Sequence, residues 1–249
     1  MTVRRFLCVV SCLGLVAGAA QAAPDDRDRE YGDCLREINR DAAAAFDTAS
    51  TWVERGGGYP ARHCAALALM KMGQYEHAAT ELEHLATDMA HGEADLSVDA
   101  LAQAAQAWIM AHKPERAYAD QTAALKLRPR DVDLLIDRAI TLGEAKNYWE
   151  AIDDLNAALQ INPKRADALV LRGSAYRYVD SLPMASEDVA AALKIDPRNP
   201  DALAERGIVR RLTNDPAGAR QDWLTVLRTA PDSPAADIAR DNLAKLDVK

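Results

Sequence analysis

The amino-acid sequence predicts an all-α chain: a solenoid of helix-turn-helix repeats closed by a carboxy-terminal capping helix. Three observations carry this reading. The composition is 49% apolar and 27% charged but only 5% aromatic, a balance that disfavours disorder and favours helices over sheets. Pro129, Pro163, Pro197 and Pro231 stand 34 residues apart, a fixed period that belongs to stacked units and not to one globular core. Ala117, Ala151, Ala185 and Ala219 keep the same phase, with Ala124, Ala158, Ala192 and then Val226 following seven residues later. Two small positions per period mark places where helices approach closely.

The elements follow in order. Arg4 and Arg5 precede an apolar run from Phe6 to Ala20 that ends in Ala20-Gln21-Ala22, the pattern of a secretory signal peptide over residues 1–22. A membrane anchor needs roughly 20 apolar residues, more than this run supplies. Lipidation at Cys12 would leave apolar residues where a polar mature chain should begin. Cleavage after Ala22 removes two arginines and no acids, moving the formal charge from -8 to -10. The mature chain is therefore expected to be periplasmic, or otherwise secreted, and to contain no membrane span. It lacks the basic stripe interleaved with aromatics that phosphate backbones need, so neither nucleic acid nor an anionic membrane surface is expected as a partner. Two cysteines remain, Cys34 and Cys64. In an oxidising compartment an even pair suggests one bridge, worth about 3 to 4 kcal/mol in the chain-entropy account; two separate buried thiols are the alternative.

Residues 23–58 read as a degenerate helix pair, Cys34 to Ile38 and Asp41 to Arg55, followed by a flexible joint at Gly56-Gly57-Gly58. Residues 59–94 form a first unit with Leu69, Gly73-Gln74-Tyr75, Ala78, Leu82 and Leu85 in place. Ala78 to Ala117 spans 39 residues instead of 34, the surplus lying in Met89 to Asp95. Residues 95–232 hold four further units. In the clearest, amphipathic helices from Asp167 to Val179 and from Leu182 to Ile195 are stopped by Asp196-Pro197. Residues 233–249 contain a final helix, Ser233 to Leu246, with Ile238, Leu243 and Leu246 on one face to cover the last unit.

The marker residues of the clearest unit are Leu169, Arg172-Gly173, Tyr176, Ala185, Val189, Ala192 and Pro197. The next has Leu203, Arg206-Gly207, Arg210, Ala219, Trp223, Val226 and Pro231, and the one before has Leu135, Arg138-Ala139, Leu142, Ala151, Leu155, Ala158 and Pro163. Leu101, Ala104-Ala105, Trp108, Ala117, Gln121, Ala124 and Pro129 continue the phase upstream. This pattern resembles the tetratricopeptide repeat (TPR), as found in exported bacterial periplasmic TPR proteins. The resemblance implies a right-handed α-solenoid.

Charges repeat with the same period. Arg138, Arg172, Arg206 and Arg240 share one phase, and Asp120, Asp154, Asp188 and Asp222 another. If each aspartate reached forward eighteen residues, every pair would be complete: Asp120 with Arg138, Asp154 with Arg172, Asp188 with Arg206 and Asp222 with Arg240. Pairing within a unit, sixteen residues back, would set Asp120 opposite Ala104 and leave Arg240 alone. The sequence therefore predicts inter-repeat ion pairs with a structural role, since a solenoid needs the same joint at every step whereas an active site needs its acid or base once.

No enzyme signature is present. His63, His77, His84, His91 and His112 include pairs seven residues apart, about 10 Å along a helix, which is too far to share one ion, so no metal or other cofactor is expected. The glycine triplet lacks the lysine and strand of a phosphate loop, and no nucleophile elbow, His-Glu-x-x-His or Cys-x-x-Cys occurs. Cys64 beside His63 imitates an activated thiol, but Cys34 offers a disulfide instead.

The expected function is a non-enzymatic periplasmic scaffold holding a protein or peptide, in envelope assembly or maintenance. The alternatives are a subunit docked into an envelope complex by its convex face, or a dispersed hydrolase or redox site. The TPR resemblance places binding in the concave groove lined by the first helix of each pair. The groove candidates are Met70 in the first unit, then Gln106, Ile109 and Met110, Ile136 and Ile140, Ser174, Arg177 and Tyr178, and finally Ile208 and Arg211. Arg177 and Arg211 are the anion contacts on this face, and the lysines and asparagines that hold a peptide carboxylate in some TPR proteins are absent. Apolar contact with an extended or helical segment is expected instead.

Overall fold

A computed structural model describes residues 26–89 and 94–247; the expected signal peptide and most of the surplus after Met89 lie outside the described residues. Among the described residues there are thirteen helices and no strand. They pair in sequence: α1 (Asp26–Arg40) with α2 (Ala42–Glu54), α3 (Gly58–Lys71) with α4 (Tyr75–Met89), and α5 (Ala94–Met110) with α6 (Pro114–Leu127). The pairs α7 (Val132–Glu144) and α8 (Tyr148–Ile161), α9 (Ala166–Tyr178) and α10 (Leu182–Ile195), and α11 (Pro200–Leu212) and α12 (Pro216–Thr229) follow, and α13 (Pro234–Asp247) closes the stack. Each helix packs on its neighbours in the chain, and first helices also touch across units, α9 on α11 and α11 on α13. This single-file order is a TPR-like solenoid, and the N-terminal pair joins it through contact of α1 with α3.

The hairpin turn shows how the period becomes geometry. After each first helix from α3 onward one residue takes the left-handed conformation: Gly73 (φ 77°), His112 (58°), Lys146 (64°), Asp180 (60°) and Asn214 (65°). That residue ends the helix by the usual αL stop, and the second helix opens within two residues. Pro114, Pro183 and Pro216 stand in the first turns of α6, α10 and α12, where a missing N–H costs nothing.

Packing explains the alanine phase. Ala117, Ala124, Ala151, Ala158, Ala185, Ala192 and Ala219 are all buried, so paired helices meet backbone to backbone with larger side chains between them. In the last unit Val226 takes the place of the second alanine and Trp223 that of Val189, and Gly207 makes room, since a Cβ there would lie 2.3 Å from Trp223 Nε1. The cap α13 covers this end with Ala235, Ala236 and Ala239, none of them exposed. Leu243 and Leu246 join that core, but Ile238 is 43% exposed, because the buried stripe runs through the alanines and passes it by.

The glycine triplet, expected as a flexible joint, is a turn close-packed at Gly57 alone, with nothing within 4 Å of a Cβ on Gly56 or Gly58. Gly56 and Gly58 take positive φ, and a Cβ on Gly57 would come within 2.6 Å of Trp52 and Ala61. Backbone hydrogen bonds from Gly56 N to Val53 O and from Gly57 N to Trp52 O tie the turn to α2.

Candidate functional site

The ion pairs form in the register opposite to the one expected. Arg138 Nε and Nη2 donate to Asp154 at 2.7 and 2.6 Å, Arg172 to Asp188 at 2.8 and 2.6 Å, and Arg206 to Asp222 at 2.9 and 2.7 Å. Each pair lies within one hairpin. The two helices are antiparallel around a short turn, so residues sixteen apart stand directly across from one another, and the planar guanidinium meets the carboxylate bidentately. The link between units is made by the remaining nitrogen: Nη1 of Arg138 donates to Thr122 and that of Arg172 to Asn156, on the preceding second helix.

The two ends of the series are the exceptions. Arg240 turns to Asp237 and the Pro231 carbonyl. Asp120 faces Ala104, is 8% exposed, and has no hydrogen-bond partner for Oδ2. Burial first, then the Glu83 carboxylate, push its pKa up to about 7, with Arg116 pulling the other way. Glu83 itself accepts from Trp108 Nε1 and from Arg116, both at 2.8 Å.

The groove candidates divide into those that face outward and those that do not. Met110, Ile140 and Tyr178 are 41%, 37% and 57% exposed, and Gln106 is also exposed. Ser174, Ile208 and Arg211 are half-buried, and Arg211 Nε has no partner. Ile136 is 4% exposed and belongs to the main core, so it offers nothing to a partner; its neighbour Ile140, one turn on, takes the outward direction. Met70 and Ile109 are partly buried against the amino-terminal core. Arg177 is no free anion contact. It is spent on Glu205 at 2.5 and 3.2 Å, donates to Ser174 at 3.1 Å, and lies 4.2 Å over the Tyr178 ring.

Two of the clefts beside α7 are lined by groove candidates. One, of about 310 Å³, lies between α7 and α9 and is lined by Ile140, Gly143, Glu144, Tyr148, Ser174 and Tyr178. The Tyr148 and Tyr178 rings stack at 4.5 Å, an aromatic wall to which the second helix α8 contributes. The other, between α5 and α7, is lined by Gln106, Ile109, Gln121, Asp137, Ile140 and Glu144. Tyr148, Gln121 and Asp137 escape a reading confined to fixed first-helix positions; Gln121 is visible as a polar residue in the phase of Leu155, Val189 and Trp223.

The amino-terminal residues are structural. His63 is 6% exposed, bonds to Tyr31 and Gln103 at 2.6 Å each, and stacks on Tyr59; burial lowers its pKa. Cys34 and Cys64 face each other with Cα atoms 6.4 Å apart, within disulfide reach. Among the described residues no group of three or more His, Cys, Asp or Glu is placed to hold a metal, and no helix is long and apolar enough to cross a membrane.

The fold defines the class: a TPR-type α-solenoid with open clefts between successive first helices. No family model matches the sequence, and no curated protein does either. Solved structures do. The MamA fragment from residue 41 onward of Desulfovibrio magneticus RS-1 is 22% identical with a TM-score of 0.61, covering 71% of this chain and 97% of that one. Another MamA structure is 16% identical with a TM-score of 0.58, covering 72% and 96%. YrrB, described as a TPR protein with an unusual peptide-binding site, is 17% identical with a TM-score of 0.57, covering 77% and 96%. At these identities the likeness is one of fold.

Proposed function

We propose that this chain is a non-enzymatic scaffold of the bacterial periplasm whose concave groove binds a protein or peptide, serving assembly or maintenance of the envelope. The observation that carries the reading is the row of outward apolar side chains Met110, Ile140 and Tyr178, contributed by three successive first helices beside open clefts. A folded chain gains nothing by leaving such a row in water, and a bound segment would bury it. The peptide-binding site reported for YrrB, on the same fold, supports it. The periplasmic part rests on the amino-terminal sequence and on the facing cysteines, which an oxidising compartment would join.

Capture tests the reading. The tagged protein is recovered from its native envelope, and co-purifying chains are compared with those held by a Met110→Ala, Tyr178→Ala variant that keeps its helical circular dichroism. Loss of a specific partner supports the groove. One observation favours docking by the outer surface: Trp149 on α8 is 62% exposed. A partner retained by the groove variant and lost on Trp149→Ala would establish that reading instead.

A further inference from the structure

Resting on the groove reading, we propose that the cleft between α5 and α7 is a receptor for one arginine side chain of the bound partner, whose guanidinium would bind Asp137 with Gln106 and Gln121 as further acceptors. The pattern for this site is inside the molecule. Two 34-residue periods further on, the register positions of Gln106, Ile109 and Asp137 are held by Ser174, Arg177 and Glu205. There α9 supplies Arg177, which crosses to Glu205 on α11 and also donates to Ser174. That joint is complete. Between α5 and α7 the acid and the hydroxyl-like acceptor have counterparts, but the arginine is replaced by Ile109, and Asp137 forms no ion pair among the described residues.

Four further features point the same way. Gln121 is 2% exposed in a phase that is otherwise apolar, and it lines this cleft. Its Nε2 donates to the Asp137 carbonyl at 3.2 Å, which fixes the amide and leaves Oε1 as a buried acceptor without a donor. A buried acceptor without a donor is costly, and a positively charged donor satisfies it best. Glu144, at the rim, adds a second carboxylate. Burial first, then Asp133 and Asp131, push the Asp137 carboxyl above the usual carboxylate range, with Arg165, which bonds to Asp133 and Asp167, pulling the other way. Ile109 and Ile140 line the same cleft and would pack the methylenes of an incoming arginine. A carboxylate-bearing peptide end is excluded here by charge.

The test uses the full-length protein and four capped tetrapeptides of the form Leu-Leu-x-Leu, with Arg, Lys, Gln or Glu at x. Binding is followed by NMR through the Gln121 side-chain amide. The arginine peptide should bind at least about tenfold more tightly than the glutamine peptide and shift that amide. Asp137→Asn should remove the preference. Ile109→Arg, which supplies the guanidinium internally as Arg177 does, should remove it too while raising the melting temperature, and Gln121→Leu should weaken it without unfolding. Equal binding of the arginine and glutamine peptides, or a preference that survives both Asp137→Asn and Ile109→Arg, overturns the proposal. A lysine peptide as tight as the arginine one overturns its guanidinium part. If arginine and glutamine peptides bind alike and perturb Met110 and Tyr178, the arginine site fails while the groove stands.

Discussion

Asp120→Asn should stabilise this protein above neutral pH, an unusual outcome for a substitution at a buried, periodic position. Asp154, Asp188 and Asp222 each receive a bidentate guanidinium, whereas Asp120 stands opposite Ala104 with Oδ2 unpaired. Burial and Glu83 push its pKa from 3.8 to about 7. At about 1.4 kcal/mol per unit, a shift of about three units sets a ceiling near 4 kcal/mol. The sign follows from the direction. The folded state keeps a proton that the unfolded chain has released, so the stability is fully present below about pH 4 and is lost as pH rises through about 7. Asparagine has nearly the same shape, carries no charge at any pH, and can donate to Glu83 as a protonated carboxyl would. The gain should therefore be about 2 to 4 kcal/mol at pH 8, fall to less than half of that near pH 5, and approach zero only below about pH 4. Urea unfolding of both proteins, followed by circular dichroism at half-unit steps from pH 5 to 8.5, measures it. The difference between the two curves is the quantity to read, since repeat arrays need not unfold in one step and other titrations cancel. A difference that does not change with pH, or a variant less stable than the parent at pH 8, refutes the reasoning.

Four other outcomes follow from the packing. Arg172→Ala strands Asp188, whose side chain is 8% exposed, and should cost about 3 kcal/mol in urea unfolding, whereas Arg240→Ala, at the exposed Asp237 contact, should cost under about 1. Gly207→Ala forces a methyl into the Trp223 ring and should cost about 1 to 3 kcal/mol, with a changed tryptophan fluorescence spectrum; an unchanged melting temperature would contradict the contact. If the Cys34 to Cys64 bridge forms, reduction should lower stability by up to about 3 to 4 kcal/mol and expose α1 first in hydrogen exchange. His63 is held neutral by burial, so its contribution is present above the ordinary histidine value of 6.5 and is lost as pH falls below it; an NMR titration of its ring should find the midpoint below 6.5.

Much of the architecture is legible in the sequence because it is written several times over. Proline and alanine phases locate the hairpins, and the helix predicted from Leu182 to Ile195 has those ends in the structure. Where a feature occurs once, legibility drops. The glycine triplet reads as a flexible joint, since nothing in the sequence shows that Trp52 fills the space beside Gly57. Ile238 reads as part of the buried face of α13 because isoleucine outranks alanine in hydrophobicity, yet close helix approach selects the alanines. The ion-pair register is a different kind of miss. Counting partners favours the forward register, which leaves no residue alone, but antiparallel helices joined by a short turn decide the matter by geometry and tolerate one orphan at each end. The groove is partly legible: Met110, Ile140 and Tyr178 face outward as first-helix spacing requires, while Ile136 lies inward and Arg177 is already engaged.

Periodicity also makes exceptions informative. A repeat that specifies its own joints by a fixed set of residues turns each departure into a local experiment, with the other units as controls. Three departures converge on the helices α5 to α7: Ala104 where arginine stands elsewhere, Gln121 where an apolar side chain stands, and Ile109 where Arg177 completes a later joint. Two of the three described buried side-chain atoms that lack a partner, on Asp120 and Gln121, belong to this same stretch. Sequences violate their own local rules chiefly at sites under some other demand. Stability is not that demand, because the regular residues at these positions form complete pairs in the neighbouring units. The unsatisfied Gln121 acceptor and the Asp137 carboxylate, lining one open cleft, are what a solenoid would keep if the missing donor came from outside.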